Sequence, residues 1–316
     1  MNIYRFMANA ALGVAVWLCG SLTLSAQQTT SEKGVPAHML VTVEPHRGAS
    51  VPAVNREDVM VYEGKDRDPV TEWVPAQGDR AALELFVLLD DSSDSSLGTQ
   101  LDDIRKFIDA QPASTKIGIA YMQNGTARIV HDLTSDHALA AKALRLPMGA
   151  RGANGSPYFS LSDLIKHWPE SSGRREVFMA SDGIDLYYGS GDLNDPYVNE
   201  AIESAQRAGI VVSVIYSPGV GHFAHDYWQT YWGQLYLAQV ADRTGGESYY
   251  IGFNGPAVAF SPYLDDFTQR LSHQYFLTFL AKPPKKSGLQ PVRLRTELPN
   301  VDLVSADKVY VAAESK

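Results

Sequence analysis

Apolar and polar positions along the chain fall into three regimes. Between His38 and Pro75, "HMLVTVEP", "EDVMVYEG" and "DPVTEWVP" alternate with a period of two and read as strands. From Ala81 the pattern changes. "LELFVLLD" carries an unbroken apolar run from Leu85 to Leu89, a strand of the kind buried on both sheet faces, and Leu97, Leu101, Ile104 and Ile108 follow at helical spacing. "KIGIAYMQ" and "ARIVHDL" are strands joined through Asn124-Gly125, the strongest two-residue hairpin signal. A short helix is expected after Ser135. Another is expected after Ser156-Pro157, with Leu161, Leu164, Ile165 and Trp168 on one side. "REVFMASDG" is the next buried strand, and Asp195-Pro196 opens a helix that Gly209 closes. "IVVSVIY" is a strand, Asp226 starts a helix running to about Thr244, "ESYYIG" is a strand, and Ser261-Pro262 opens a last helix. Beyond His273 strands return as "QYFLTFLA", "PVRLRTEL" and "DKVYVA".

Strands and helices in this order predict βαβ units. The expected fold is α/β: a doubly wound, mostly parallel six-stranded sheet over residues 81–275, covered on both faces, with one antiparallel hairpin at its edge. The strands of 27–80 are too few to fold alone. They are expected to pair with those of 276–316 in a small accessory β unit.

The first 26 residues stand apart. Arg5 gives a short basic start, Ala10 to Leu24 are apolar, and Ser25-Ala26 offers small residues for cleavage. That is the layout of a secretory signal peptide, and the apolar run is shorter than the roughly 20 residues a span requires. An exported protein with no membrane span after cleavage is expected, either periplasmic or extracellular. Cys19 is the only cysteine and lies inside this leader. The mature chain would therefore contain neither a disulfide nor a thiolate metal site.

The composition of the 316 residues is ordinary for a globular protein, 45% hydrophobic and 20% charged. The balance is acidic, 36 Asp and Glu against 27 Lys and Arg, and the one basic cluster is "KPPKK". Without a basic face there is little to neutralise phosphates, so nucleic acid is not an expected partner.

Candidate chemistry concentrates in "ELFVLLDDSSDSSLG", where the buried run ends in seven oxygen-bearing residues, Asp90 to Ser96. In doubly wound sheets ligands bind beyond the carboxyl ends of the strands, where the strand order reverses. A second strand ends in acid at the same edge, at Asp182 in "FMASDG". Between them the glycine-rich "GANGSPY" delivers Ser156 to a helix start. Carboxylates and hydroxyls without His or Cys make a hard-oxygen site suited to Mg²⁺, Mn²⁺ or Ca²⁺. Each feature also has a plain reading: a solvated turn, an N-cap with proline at N1, and an Asp-Gly turn.

Together, the strand ending in Asp-x-Ser-x-Ser, the later glycine-rich loop with a hydroxyl residue before proline, and the strand ending in Asp-Gly resemble a von Willebrand factor type A domain. The likeness extends to that family's metal-ion-dependent adhesion site. It covers residues 81 to 275, and the flanking β segments make the chain similar to the bacterial "VWFA-related" exported proteins. The resemblance implies a protein-binding, adhesion-type module in which an acidic residue of the partner completes the coordination of a divalent cation. It implies metal roles for Asp91, Ser93, Ser95, Ser156 and Asp182, with the hydroxyls on the ion and the aspartates acting through water. The register has two versions. Residue types favour Asp91, Ser93 and Ser95. Counting from the strand end favours Asp90, followed by Ser92 and Asp94, which departs from the family at the last position.

Other features are less specific. Phe223 and Tyr227, in an aromatic stretch at the same edge, are candidate partner contacts. His222, His225 and Asp226 have a spacing that serves zinc only weakly, and Asp226 reads equally well as a helix cap. The long loop after Asp182 carries Asp185, Tyr187, Tyr188 and Asp192, which suit a partner surface or a second ion. Two other functions compete. A Mg²⁺-dependent phosphoryl-transfer enzyme also places aspartates beyond a first strand, but it wants a second carboxylate where Ser92 stands and a lysine that "MASDGID" lacks. A metal-free structural domain would bind by strand addition. No nucleophile elbow is present, so a serine hydrolase is not expected.

Overall fold

A computed structural model describes residues 34–46, 50–93, 97–149, 152, 154–169, 173–218, 226–250 and 258–313. The expected leader, Ser95, Phe223, His222 and His225 lie outside the described residues. In chain order the strands are β1 (Val35–Pro45), β2 (Met60–Glu63), β3 (Asp66–Asp68), β4 (Val70–Pro75), β5 (Leu83–Asp90), β6 (Thr115–Gln123), β7 (Thr126–Thr134), β8 (Arg174–Ser181), β9 (Ile210–Tyr216), β10 (Ser248–Tyr249), β11 (Gln274–Ala281), β12 (Gly288–Pro291), β13 (Arg293–Arg295), β14 (Val301–Ser305) and β15 (Lys308–Val311). The helices are α1 (Leu97–Asp109), α2 (His137–Lys142), α3 (Pro157–Lys166), α4 (Pro196–Ala208), α5 (Tyr227–Thr244) and α6 (Ser261–Ser272). No described helix is long and apolar enough to cross a membrane.

The main sheet has six strands in the order β10-β9-β8-β5-β6-β7. All its pairings are parallel except β6 with β7. Asn124 and Gly125 sit at positive φ in the hairpin between those two strands, as a tight turn requires. The apolar run of β5 splits by alternation. Leu85, Val87 and Leu89 pack with Leu101, Ile104, Phe267 and Leu271 of α1 and α6. Phe86 and Leu88 pack with Tyr158, Leu161, Ile202 and Val240 of α3, α4 and α5. Covering both faces is what requires the run from Leu85 to Leu89 to be apolar throughout.

The terminal segments form a second sheet in the order β14-β1-β11-β4, with β2, β3 and β13 in a three-stranded sheet and β12 against β15. Odd positions of β1, among them Ala37, Val41 and Val43, join Leu277, Phe279 and Ala281 of β11 in a third core. The even positions His38 and Leu40 lie on the other face.

A buried polar network runs beneath the amino-terminal end of the main sheet. Glu176 of β8 is 1% exposed and accepts a hydrogen bond from Gln274 Nε2. Gln274 Oε1 accepts one from Arg174 Nη1 at 2.7 Å. Burial, opposed by the Gln274 hydrogen bond and the charges of Arg174 and Arg270, pushes the Glu176 carboxyl up to about 7. A carboxyl whose folded pKa exceeds its unfolded one holds its proton more tightly in the folded state. Its cost to stability is absent below the unfolded pKa and grows as pH rises to the folded one, reaching roughly 3 kcal/mol. Glu176→Gln is therefore expected to keep stability that the native chain loses between pH 5 and pH 8. Urea unfolding at the two pH values measures this, and equal losses in both proteins would contradict it.

Candidate metal centre

The chain leaves β5 towards β6 and leaves β8 towards β9, so the crevice between the carboxyl ends of β5 and β8 is where the winding reverses. Asp90 ends β5 and Ser181 ends β8. The two meet across the crevice, with Ser181 Oγ donating to Asp90 Oδ2 at 2.8 Å. The other oxygen, Asp90 Oδ1, accepts from the Ser92 backbone N–H at 2.9 Å and from Ser92 Oγ at 2.5 Å.

Alternation sends the two neighbouring aspartates to opposite sides of the sheet. Asp90 continues the Phe86 and Leu88 face and, with Ser92, lines a cavity beside Ser156, Pro157 and Ser160. Asp91 continues the other face and is 1% exposed. Its carboxylate takes Arg145 Nη1 at 2.6 Å, Arg145 Nη2 at 3.0 Å, Gln123 Nε2 at 2.6 Å and the Met148 N–H at 3.0 Å. Arg145 also lies over the Tyr121 ring, 3.9 Å from its centroid. Burial disfavours the Asp91 charge, but the hydrogen bonds from Arg145, Gln123 and Met148 outweigh it and lower the pKa.

Ser156 caps α3, its Oγ accepting from the Phe159 N–H at 3.3 Å with Pro157 following at the first helical position. The same hydroxyl donates to Asp185 Oδ2 at 3.2 Å. Asp185 Oδ1 in turn accepts from the Tyr187 and Tyr188 amides at 2.8 and 3.3 Å. Burial raises the Asp185 pKa against those hydrogen bonds. Asp182 is 1% exposed, and its Oδ1 accepts from the Ile184 N–H at 2.9 Å.

The cavity has a volume of about 20 Å³, room for a single water or a bare ion. A hydroxyl has one proton and two lone pairs. Ser92 and Ser156 both spend the proton on a carboxylate, so Ser92 keeps its lone pairs and Ser156, after capping α3, keeps one. Asp91 is neutralised by Arg145, whereas Asp90 forms no ion pair among the described residues. An uncompensated carboxylate at 7% exposure, with hydroxyl lone pairs on the same small space, is a donor set that fits a hard cation. Among the described residues no three His, Cys, Asp or Glu side chains form a ready-made ligand cluster. Any ion would therefore depend on the serines.

The structure thus brings together Asp90, Ser92 and Ser156 on the cavity, with Asp185 bonded to Ser156, whereas Asp182 is not among the lining residues. Asp91 is turned to the opposite side of the sheet, and Ser93, 1% exposed, faces Ser217 Oγ at 3.3 Å rather than the cavity. Tyr227, at the start of α5, is 64% exposed and stands edge-on to Trp228. Asp226 is a helix cap, its Oδ1 accepting from the Gln229 N–H. Asp192 accepts from the Asn194 N–H in its own loop, and Asp195 caps α4, accepting from the Tyr197 and Val198 N–H groups.

Ser181 and Arg145 are contributors that pattern reading overlooked, and no local signal marks either. Phe159, Tyr187, Tyr188 and Tyr197 form a surface cluster with ring centroids 4.7–5.6 Å apart. Tyr187 and Tyr188 are 49% and 54% exposed.

No family model matches the sequence, and no curated protein matches it. Solved structures do. An aerotolerance-related membrane protein from Bacteroides fragilis is 15% identical, covering 60% of this chain and 98% of that one, with a TM-score of 0.43. The vWF domain of the type V pili tip protein Mfa5 from Porphyromonas gingivalis is 11% identical over 60% and 95%, TM-score 0.42. The ArnB paralog VWA2 from Sulfolobus acidocaldarius is 10% identical over 88% and 76%, TM-score 0.41. The chain is thus similar to von Willebrand factor type A domain proteins. Likeness at this level leaves cation, partner and location to be argued from the chain's own residues.

Proposed function

We propose that this chain is an exported protein-interaction module of the adhesion type. It holds a divalent hard cation at Asp90, Ser92 and Ser156 and captures a protein whose acidic side chain completes the ion's shell. The observation that supports this reading is the convergence of those three side chains on one ion-sized cavity at the reversal point of the sheet. Ser92 and Ser156 would touch the ion, while Asp90 and Asp182 would act through water. Asp185 links Ser156 to Tyr187 and Tyr188, so the exposed aromatic cluster becomes part of the partner surface, to which Tyr227 would also contribute. Residues 81–275 carry the site, and the strands of 27–80 and 276–316 form an accessory β unit. When bound, the ion would supply an electrophilic contact for a partner carboxylate, and Asp90, Ser92 and Ser156 would hold and orient it.

Calorimetric titration with Mn²⁺ and Mg²⁺ tests the site. Asp90→Asn and Ser156→Ala are each expected to weaken binding at least about tenfold, the loss of one charged or coordinating contact. Ser93→Ala is expected to bind as the native chain does. Absence of binding at millimolar cation, or a loss in the Ser93 variant equal to the others, would remove the reading. Phosphatase and esterase assays with and without chelator address the enzyme alternative, since turnover abolished by chelator would favour it.

A further inference from the structure

A second cavity lies at the opposite end of the main sheet from Asp90, where the amino-terminal ends of β5 and β8 face the four-stranded sheet. Its volume is about 600 Å³, inside the range of small-molecule pockets. One wall comes from the α/β part and carries Arg80, Arg174, Arg175 and Arg207. The other is the even face of β1 with its partners on β11, including Leu40 and Phe276, and Tyr310 stands at the side.

The charges of the two walls are met differently. On the sheet wall, Thr278 Oγ1 donates to Glu72 Oε2 at 3.1 Å and lies 3.0 Å from His38 Nδ1, so its polar groups satisfy one another. On the other wall Arg207 pairs with Glu203 at 3.7 Å. The remaining three guanidiniums form no ion pair among the described residues. Arg174, 7% exposed, gives Nη1 to Leu271 O and Gln274 Oε1 and Nη2 to Ala81 O, all neutral acceptors, and its Nε has no partner. Arg175 donates Nη2 to Ala208 O. Arg80 makes no side-chain hydrogen bond among the described residues. In a chain where acids outnumber bases 36 to 27, the lining carries four arginines against two carboxylates, Glu72 and Asp79. Burial lowers the pKa of both Arg174 and Arg175, outweighing the charges of Glu176 and Glu84 that act on them in the opposite sense.

From the arginine wall facing a sheet wall that carries Leu40 and Phe276 across a single cavity, we infer that this cleft binds an amphipathic monocarboxylate. Its head group would sit on Arg80 and Arg175, and its apolar body against Leu40 and Phe276. A guanidinium fork matches a carboxylate in two parallel hydrogen bonds. A singly charged head suits the cleft because Glu72 and Asp79 also line it and would oppose a second negative charge. The apolar body follows from the sheet wall, where Leu40 and Phe276 lie on the face turned away from the core of Val41, Val43 and Leu277.

Calorimetry with decanoate below its micellar concentration tests this on the full chain, with decanol as the uncharged equivalent. Decanoate is expected to bind at least about tenfold more tightly than decanol, the worth of one charge-assisted contact. Arg80→Glu is expected to remove that preference. Arg80 is exposed and makes no side-chain hydrogen bond among the described residues, so the variant should fold as the native chain does, which circular dichroism checks. Equal binding of decanoate and decanol, unchanged decanoate binding in Arg80→Glu, or no decanoate binding at all would each overturn the inference.

Discussion

Alanine at Gly183 is expected to destabilise the protein by about 3 kcal/mol, combining a left-handed backbone penalty of about 1–2 kcal/mol with an overpacking cost of about 1–3 kcal/mol. Gly183 has φ +70, and a Cβ there would fall closer than 3.0 Å to Gly233 O and 2.7 Å from Leu237 Cγ. The turn that follows Asp182 is pressed onto α5, and Gly233 is the helix position that allows the approach. A Cβ on Gly233 would in turn collide with Asp182 O. Tyr158, fully buried, donates to Gly183 O at 2.7 Å and so fixes the turn from the α3 side.

Two comparisons isolate the cause. Gly209 has φ +62 with open space around its Cβ position, so Gly209→Ala should show the backbone penalty alone. Gly233→Ala, in the middle of a helix, would gain about 1 kcal/mol if helix propensity ruled, whereas the contact with Asp182 predicts a loss. Urea unfolding of the three variants measures all of this, and a stabilised Gly233→Ala would refute the contact. Because the displaced atoms belong to Asp182 and its neighbours, Gly233→Ala is also expected to weaken Mn²⁺ binding despite lying outside the site.

Removing the cation that faces Asp91 is expected to be nearly as costly. Arg145→Met would leave a carboxylate of 1% exposure with only Gln123 and the Met148 amide for partners. Breaking a buried pair costs about 3–5 kcal/mol. Arg145 is a third exposed on its side chain, which places the expected loss near the lower end, about 3 kcal/mol. The sign with pH follows from linkage. The folded pKa of Asp91 is depressed, so its contribution is present above the unfolded carboxyl value and is lost as pH falls through the folded one. The deficit of Arg145→Met should therefore be full at pH 7 and shrink towards pH 3, where Asp91 in the variant takes up a proton. Asp91→Asn in the same background should recover part of the loss. Chemical unfolding across that pH range checks it, and a deficit that does not change with pH would show that Arg145 acts through packing on Tyr121 instead.

This pair also shows why the register was not legible. Residue types favour Asp91, Ser93 and Ser95 over Asp90 and Ser92, but the structure sends Asp91 to Arg145 and turns Ser93 to Ser217. The partner that claims Asp91 lies 54 residues away, in a segment with no pattern of its own. Ser181 was overlooked for a related reason. Its distance from Asp90 depends on β5 and β8 lying side by side, which neither strand records. Ser156 was legible as an N-cap, and its hydroxyl serves as that cap while keeping a lone pair beside the cavity.

What the sequence determined by itself was local: the alternation that makes β5 a two-faced strand, the Asn124-Gly125 hairpin, the caps at Ser156, Asp195 and Asp226, and the strand end at Asp90 where oxygen-bearing side chains gather. Those features depend on neighbours within a few residues, so they can be read in order along the chain. Only the tertiary structure decided which aspartate faces the cavity and which is neutralised. A strand alternates its side chains with a period of two, and the packing of α3 on one face and of the Arg145 segment on the other gives those two faces opposite chemistry.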